Sequence, residues 1–170
     1  MTIYKIARSW TIIATLALAA SSANANAGTA VSTDVTARNE TIVKQAFEDW
    51  AERGGAFTRV VSPDVEWTVR GSGPYSRTYS GLDSFVNDAS APILSRLSTP
   101  LKPVVKKIWA VDDDVIVRFD ASATTTTNDT YSNEYLWILT MKDGLVVKSE
   151  AFLDMGLYQD LVDGAPTRTN

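Results

Sequence analysis

Tyr131-Ser132-Asn133-Glu134-Tyr135-Leu136-Trp137-Ile138-Leu139-Thr140-Met141 is the stretch on which the fold turns. Side chains alternate along a strand, so Tyr131, Asn133, Tyr135, Trp137, Leu139 and Met141 share one face. Ser132, Glu134, Leu136, Ile138 and Thr140 share the other. An aromatic face with a single amide suits a pocket wall, and ordinary core packing would produce the same pattern.

The neighbouring segments read alike. Residues 104–111, 115–125 and Leu145–Leu153 are strand-like, with turn signals at Asp112-Asp113-Asp114, Asn128-Asp129 and Asp143-Gly144. Connections this short imply antiparallel neighbours. Upstream, residues 64–69 form a further strand with Val65, Trp67 and Val69 on one side. The segment 70–80 is a Gly/Ser/Pro loop whose glycines would let it move over a pocket mouth or lie as plain surface.

Helical spacing appears elsewhere. Between 38 and 53, Ile42, Val43, Ala46, Phe47, Trp50 and Ala51 recur at steps of three and four, and Gly54-Gly55 ends the pattern. Phe57, Val60 and Val61 suggest a short second helix closed by Pro63. Ser80 is placed to cap a third, with Phe85 and Val86 inward, and Pro92 interrupts it before Ile93, Leu94 and Leu97. A last short helix follows at 155–162. Helices first and a long meander last make an α+β domain, its sheet wrapped around the helices.

The amino terminus reads as an address. Lys5 and Arg8 precede an apolar run over 10–20, and two small-residue sites follow, Ala23-Asn24-Ala25 and Ala25-Asn26-Ala27. That is the layout of a secretory signal peptide over 1–27, too short for a membrane span. The expected division is a signal peptide 1–27, a flexible leader 28–37, the domain 38–163 and a tail 164–170. The product would be periplasmic or secreted. Cleavage would remove two basic and no acidic residues, taking the net charge from −4 to −6. An acidic domain without a basic stripe is a poor partner for nucleic acid or for an anionic membrane.

Histidine and cysteine are both absent. That removes Ser-His-Asp and Cys-His catalysis, thiolate chemistry and the usual zinc, copper and haem sites. Acid–base work falls to Asp, Glu, Tyr, Lys or water. The one acidic run, Asp112-Asp113-Asp114, lies between strands and reads as a solvated turn, so no metal and no cofactor is assigned.

The carboxylates that remain have two readings each. Arg118 and Asp120 lie on one face of their strand, alternating with Val117 and Phe119, the more natural interior pair. Outward, they form a surface ion pair; inward, the Arg would hold a carboxylate ionised in a cavity. Asp154 follows the last strand and would either reach the pocket or cap the final helix.

Trp67-Thr68-Val69-Arg70-Gly71-Ser72-Gly73-Pro74 followed by Thr78-Tyr79-Ser80-Gly81 resembles the first-strand and loop signature of the SnoaL-like branch of the NTF2-like superfamily. Tyr131-Ser132-Asn133-Glu134-Tyr135, Lys142-Asp143-Gly144 and Phe152-Leu153-Asp154 resemble the same family's closing hairpin. The resemblance spans 38–163. It implies a cone: a curved, mostly antiparallel sheet over N-terminal helices, one apolar pocket, and frequent homodimers through the sheet. The partner it implies is a hydrophobic small molecule, held by Phe47, Trp50, Trp67, Tyr79, Tyr131, Asn133, Tyr135 and Trp137.

Catalytic residues transfer unevenly. The base, tyrosine and protonated aspartic acid of ketosteroid isomerases fall near Thr68, Phe47 and Leu136, and none is kept. The Arg-x-Asp and closing Asp of limonene-epoxide hydrolases match Arg118-Phe119-Asp120 and Asp154, but their water-holding Tyr and Asn fall near Trp67 and Val69. Polyketide cyclases use an Asp near the position of Asp154. The resemblance therefore leaves two functions open. One is a cofactor-free acid–base catalyst with Asp154 moving the proton, Asp120 as partner carboxylate and Arg118 as positioner. The other is a non-catalytic ligand-binding or dimerisation module.

Overall fold

A computed structural model describes residues 23–54 and 57–168, with side chains from Asp34 onward. The first helix, α1 (Ala23–Arg53), places Val43, Ala46 and Phe47 in the core, with Ile42 and Trp50 packed against it. The segment 28–37, expected as a loose leader, lies inside α1. Once the packed end has nucleated a helix, each further residue adds one hydrogen bond, and alanine propagates best. The signal-peptide assignment falls mostly outside the described residues; only 23–27 belong to α1. Gly54 (φ 71) ends the helix, its N–H donating to the Trp50 carbonyl at 2.9 Å.

After a 3-10 turn (Phe57–Val60), β1 (Val61–Arg70) begins earlier than expected. Pro63 does not close a helix. It sits in the strand at an irregular stretch of pairing between Val61 and Glu66, where a missing N–H is tolerated. The loop expected over 70–80 contains a short strand, β2 (Thr78–Ser80), paired antiparallel to β1 with Trp67 opposite Tyr79.

The next helical segment has three parts: α2 (Leu82–Ser84), a π-helical turn (Phe85–Ser90) and α3 (Ala91–Leu94). Its cap is Gly81 (φ 86), not Ser80, and no side-chain cap bond forms there. Pro92 lies in the first turn of α3, where no N–H is needed. Phe85, Ala89, Ile93 and Leu97 point inward, whereas Val86 and Leu94, expected inside, are 36% and 41% exposed.

The remaining strands are β3 (Lys102–Val111), β4 (Asp114–Thr124), β5 (Thr130–Lys142) and β6 (Leu145–Leu153), and the last helix is α4 (Met155–Gly164). The six strands form one curved, open sheet in the order β2-β1-β6-β5-β4-β3. Only the β1–β6 pair is parallel. The odd face of β5 is buried along its length.

A register shift between Thr140 and Met141 breaks the strict alternation that would place Val146, Lys148, Glu150 and Phe152 on one face of β6. Val146 is buried, but beyond the irregularity the inward positions are Ser149 and Ala151, and Lys148, Glu150 and Phe152 turn away. The β5–β6 turn requires Asp143 (φ 52) and Gly144 (φ 83) to be left-handed. Gly144→Ala should therefore cost about 1–2 kcal/mol, read as a lower urea midpoint with an unchanged slope.

Candidate binding cavity

The concave face of the sheet carries a patch set by register. Ala151 of β6 sits between Trp137 of β5 and Val69 of β1, and Tyr135 lies opposite Leu153. A methyl side chain between two large neighbours leaves space above the sheet. Phe85, Ala89 and Ile93 roof that space, Trp50 and Phe57 close one side, and Tyr158 of α4 another. The result is a cavity of about 530 Å³, a size typical of small-molecule sites. The exposed residues Arg53, Thr99, Pro100 and Arg168 lie at its opening.

Aromatic packing holds the walls rigid. Trp137 stacks on Trp50 at 5.9 Å and 15°, and meets Trp67 edge-on at 4.9 Å and Phe119 at 4.8 Å. Tyr135 lies parallel to Phe119 at 4.8 Å, and Trp67 stacks on Phe85 at 4.0 Å. Such pairs add about 0.5–1.5 kcal/mol each beyond area burial.

Of the expected ligand-binding residues, Trp50, Trp67, Tyr135 and Trp137 line the cavity. Phe47, Tyr79, Tyr131 and Asn133 do not; they stand behind its walls. Phe47 packs on Phe119, and the Tyr79 hydroxyl donates to the Tyr75 carbonyl at 2.8 Å. Sequence reading missed Ala151 and Tyr158. Neither has a local signal, because one matters by being small and the other enters from a helix distant in sequence. The loop after β1 is not a lid over this cavity. Its Tyr75 packs on Tyr158 at 4.7 Å, and none of its residues lines the opening.

Asn133 is a clamp. Its Oδ1 accepts from the Asp154 N–H at 3.0 Å while its Nδ2 donates to the Asp154 carbonyl at 2.9 Å and to the Tyr131 hydroxyl at 3.2 Å. These bonds fix the point where β6 ends and α4 begins. The Asp154 side chain caps α4, with Oδ1 accepting from Gly156 N–H at 2.8 Å and Leu157 N–H at 3.2 Å. Asp154 is exposed and does not line the cavity.

Arg118 and Asp120 lie on the convex face, and they do not pair with each other. Asp120 meets Lys106 at 2.9 Å, and Arg118 meets Glu134 at 3.6 Å. The interior face of β4 is taken by Val117 and Phe119. The proposed trio of Asp154, Asp120 and Arg118 is therefore not assembled around the cavity. Among the described residues no Asp or Glu lines it; the ionisable groups there are Arg53, Arg168, Tyr135 and Tyr158. Burial raises the phenol pKa of Tyr135 well above the usual value of 10, and the neighbouring Tyr131 adds to this. Burial likewise raises Tyr131 and Tyr158, so all three stay neutral donors at ordinary pH.

Asn133→Ala would strand the Asp154 backbone N–H and carbonyl in a partly buried site. It should cost about 2–4 kcal/mol, from an unsatisfied donor and an unsatisfied acceptor, and lower the thermal midpoint. Asp154→Asn keeps a capping oxygen and should leave that midpoint nearly unchanged.

A SnoaL-like domain model matches residues 43–149. Among solved structures, a candidate SnoaL-like polyketide cyclase from Jannaschia sp. CCS1 superposes with a TM-score of 0.60 at 14% identity, covering 78% of this chain and 96% of that one. TerC, co-crystallised with polyporic acid, has a TM-score of 0.60 at 18% identity, covering 75% and 99%. An NTF2-like protein from Burkholderia pseudomallei has a TM-score of 0.61 at 18% identity, covering 74% and 97%. A search of curated proteins finds no match. At these identities the structural likeness speaks for the fold, and the model match over most of the chain speaks for the lineage. The chain belongs to the SnoaL-like family of the NTF2-like fold.

Proposed function

We propose that this chain is an exported SnoaL-like domain that binds a hydrophobic, largely aromatic small molecule without carboxylate-based catalysis. The observation that carries this reading is the cavity of about 530 Å³ walled by Trp50, Phe57, Trp67, Tyr135 and Trp137, with no acidic residue lining it among the described residues. A general base must come within hydrogen-bond reach of the proton it takes. Asp154 spends its Oδ1 on two helix N–H groups, and Asp120 lies on the other side of the sheet. That weighs against the acid–base reading. The charges at the opening are guanidinium groups, which favour a neutral or anionic ligand over a cationic one. TerC, of like fold, was crystallised with polyporic acid, so the fold admits a small organic molecule in at least one relative.

Titration with naphthalene, fluorene and anthracene should quench the fluorescence of the lining tryptophans saturably, with one site per chain. Ala151→Leu, which fills the space between Trp137 and Val69, should weaken binding by about tenfold or more. Asp154→Asn should bind like the unaltered protein. Failure of all three hydrocarbons to saturate at high micromolar concentration would sink the binding reading, and loss of binding in Asp154→Asn would return Asp154 to the site.

Export and self-association complete the proposal. The basic, apolar and Ala-x-Ala order of the first 27 residues supports export. Trp109 and Phe152, both exposed on the convex face, support a homodimer through the sheet. Protein recovered from a bacterial periplasm should begin at Asn26 or Gly28 and sediment as a dimer. An intact Met1 would refute export, and a monomer would refute the dimer.

A further inference from the structure

We infer that the Tyr135 hydroxyl is a hydrogen-bond donor aimed into the cavity, and that the ligand carries a carbonyl oxygen to meet it, as an aryl ketone does. This rests on the binding reading above and adds the chemistry the ligand must present.

The hydroxyl and amide protons around Asn133 can be counted one by one. Asn133 has its amide orientation set by Asp154, because only Oδ1 can accept from the Asp154 N–H. Its Nδ2 then has two hydrogens, one used on the Asp154 carbonyl and one on the Tyr131 hydroxyl oxygen. Tyr131 and Tyr135 share a single bond between their hydroxyls at 3.0 Å, so one of their two protons goes unused in it. If Tyr135 donated to Tyr131, the leftover proton would be that of Tyr131. Tyr131 is buried, does not line the cavity, and among the described residues has no further hydroxyl partner. If Tyr131 donates to Tyr135, the leftover proton belongs to Tyr135, which does line the cavity. Each arrangement leaves one hydroxyl proton over, but that of Tyr131 would stay buried away from the cavity, whereas that of Tyr135 belongs to a residue of the cavity lining, where a ligand can accept it, so the second arrangement prevails.

The chain of bonds therefore runs from Asp154 through Asn133 and Tyr131 to Tyr135, and ends on the hydroxyl of a residue in the cavity lining. Tyr135 is 7% exposed, and its ring is pinned flat against Phe119, so the hydroxyl cannot swing out to bulk water. Other hydroxyls in the lining are placed differently. Tyr158 donates to the Ala89 carbonyl at 3.1 Å, and Ser90, Thr58 and Thr99 are partly or fully exposed to solvent. Burial keeps the Tyr135 phenol protonated, hence a donor, throughout the ordinary pH range. A pure hydrocarbon would fill the cavity but leave this donor unmet; a ketone of the same shape would satisfy it.

Fluorene and 9-fluorenone differ by a methylene against a carbonyl at one position, and Tyr135→Phe removes only the hydroxyl. Both affinities should be measured by tryptophan quenching on both proteins. The expected result is that Tyr135→Phe weakens fluorenone by about three- to tenfold while fluorene changes by less than about twofold, the span set by one net hydrogen bond. A fluorenone-to-fluorene affinity ratio that is the same in both proteins would overturn the inference, since the hydroxyl would then serve bound water or nothing. Equal weakening of both probes would also overturn it, marking a packing effect of the ring. If neither probe binds the unaltered protein, the binding reading itself falls. Should Tyr135→Phe fold poorly, fluorenone binding the unaltered protein no tighter than fluorene overturns the inference on its own.

Discussion

Trp137 stands where every layer of this molecule meets. It reaches Trp50 on α1, Phe57 on the 3-10 turn, Trp67 on β1 and Phe119 on β4, all at ring-centroid distances between 4.8 and 5.9 Å. A large flat ring at the middle of a curved sheet fixes how closely α1 can approach, and the helix layer is set off from the sheet by that thickness. Opposite Trp137 on β6 is Ala151, and the contrast between those two side chains is what opens a cavity instead of a filled core. Protein interiors otherwise pack at crystal density, so an apolar hollow of this size persists only because rigid rings span its edges.

Charge is divided cleanly by the sheet. The convex face carries Lys106, Arg118, Asp120 and Glu134 in cross-strand pairs, together with Arg70 and Glu150 at 3.0 Å. Pairs this exposed contribute little to stability, about 0–1 kcal/mol each, and serve mainly to keep that face solvated. The concave face carries tyrosine, tryptophan and aliphatic groups. Acid–base chemistry in this cavity would need a carboxylate within reach on the concave side, and here every candidate named from sequence is on the convex side or at a helix cap. A shared fold does not by itself carry a shared reaction, because the reaction lives in a few side chains whose direction the fold leaves free.

The polar residues that do enter the interior are used to join elements. Asn133, 2% exposed, ties β5 to the junction where β6 ends and α4 begins, and α4 in turn brings Tyr158 over the cavity. Such a bidentate bond to a backbone is stiff, since Asn133 is held within β5 and Asp154 between the end of β6 and the first turn of α4. Polar groups in a low-dielectric setting must all be matched, and the tyrosines beyond Asn133 nearly meet that demand. The one proton left over is the one we infer to belong to Tyr135 in the cavity lining, so the selectivity proposed for the site would follow from the same accounting that stabilises the fold.

Much of this was legible from residue order alone. Period-two alternation assigned the buried face of β5 and sorted β4 into two faces, favouring but not settling the one with Val117 and Phe119 as interior, and the steps of three and four found the inward stripe of α1, because strand and helix geometry repeat regardless of context. Alternation failed on β6, where an irregularity near Met141 shifts the phase, and a strand's own residues do not announce a bulge that depends on its partner. The α-helical start was read late, because the residues before Arg38 have no apolar stripe and are helical by propagation from the packed end. Β-strand pairing partners were only partly readable: β2 is three residues long, and the parallel β1–β6 contact joins segments some eighty residues apart. Local order thus decided what each segment would be and which side it would bury. Where Asp154 points, whether Asn133 meets a ligand or a backbone, and that Ala151 leaves a hollow were decided by packing between distant segments, since a side chain's neighbours across a sheet are set by register and not by its position along the chain.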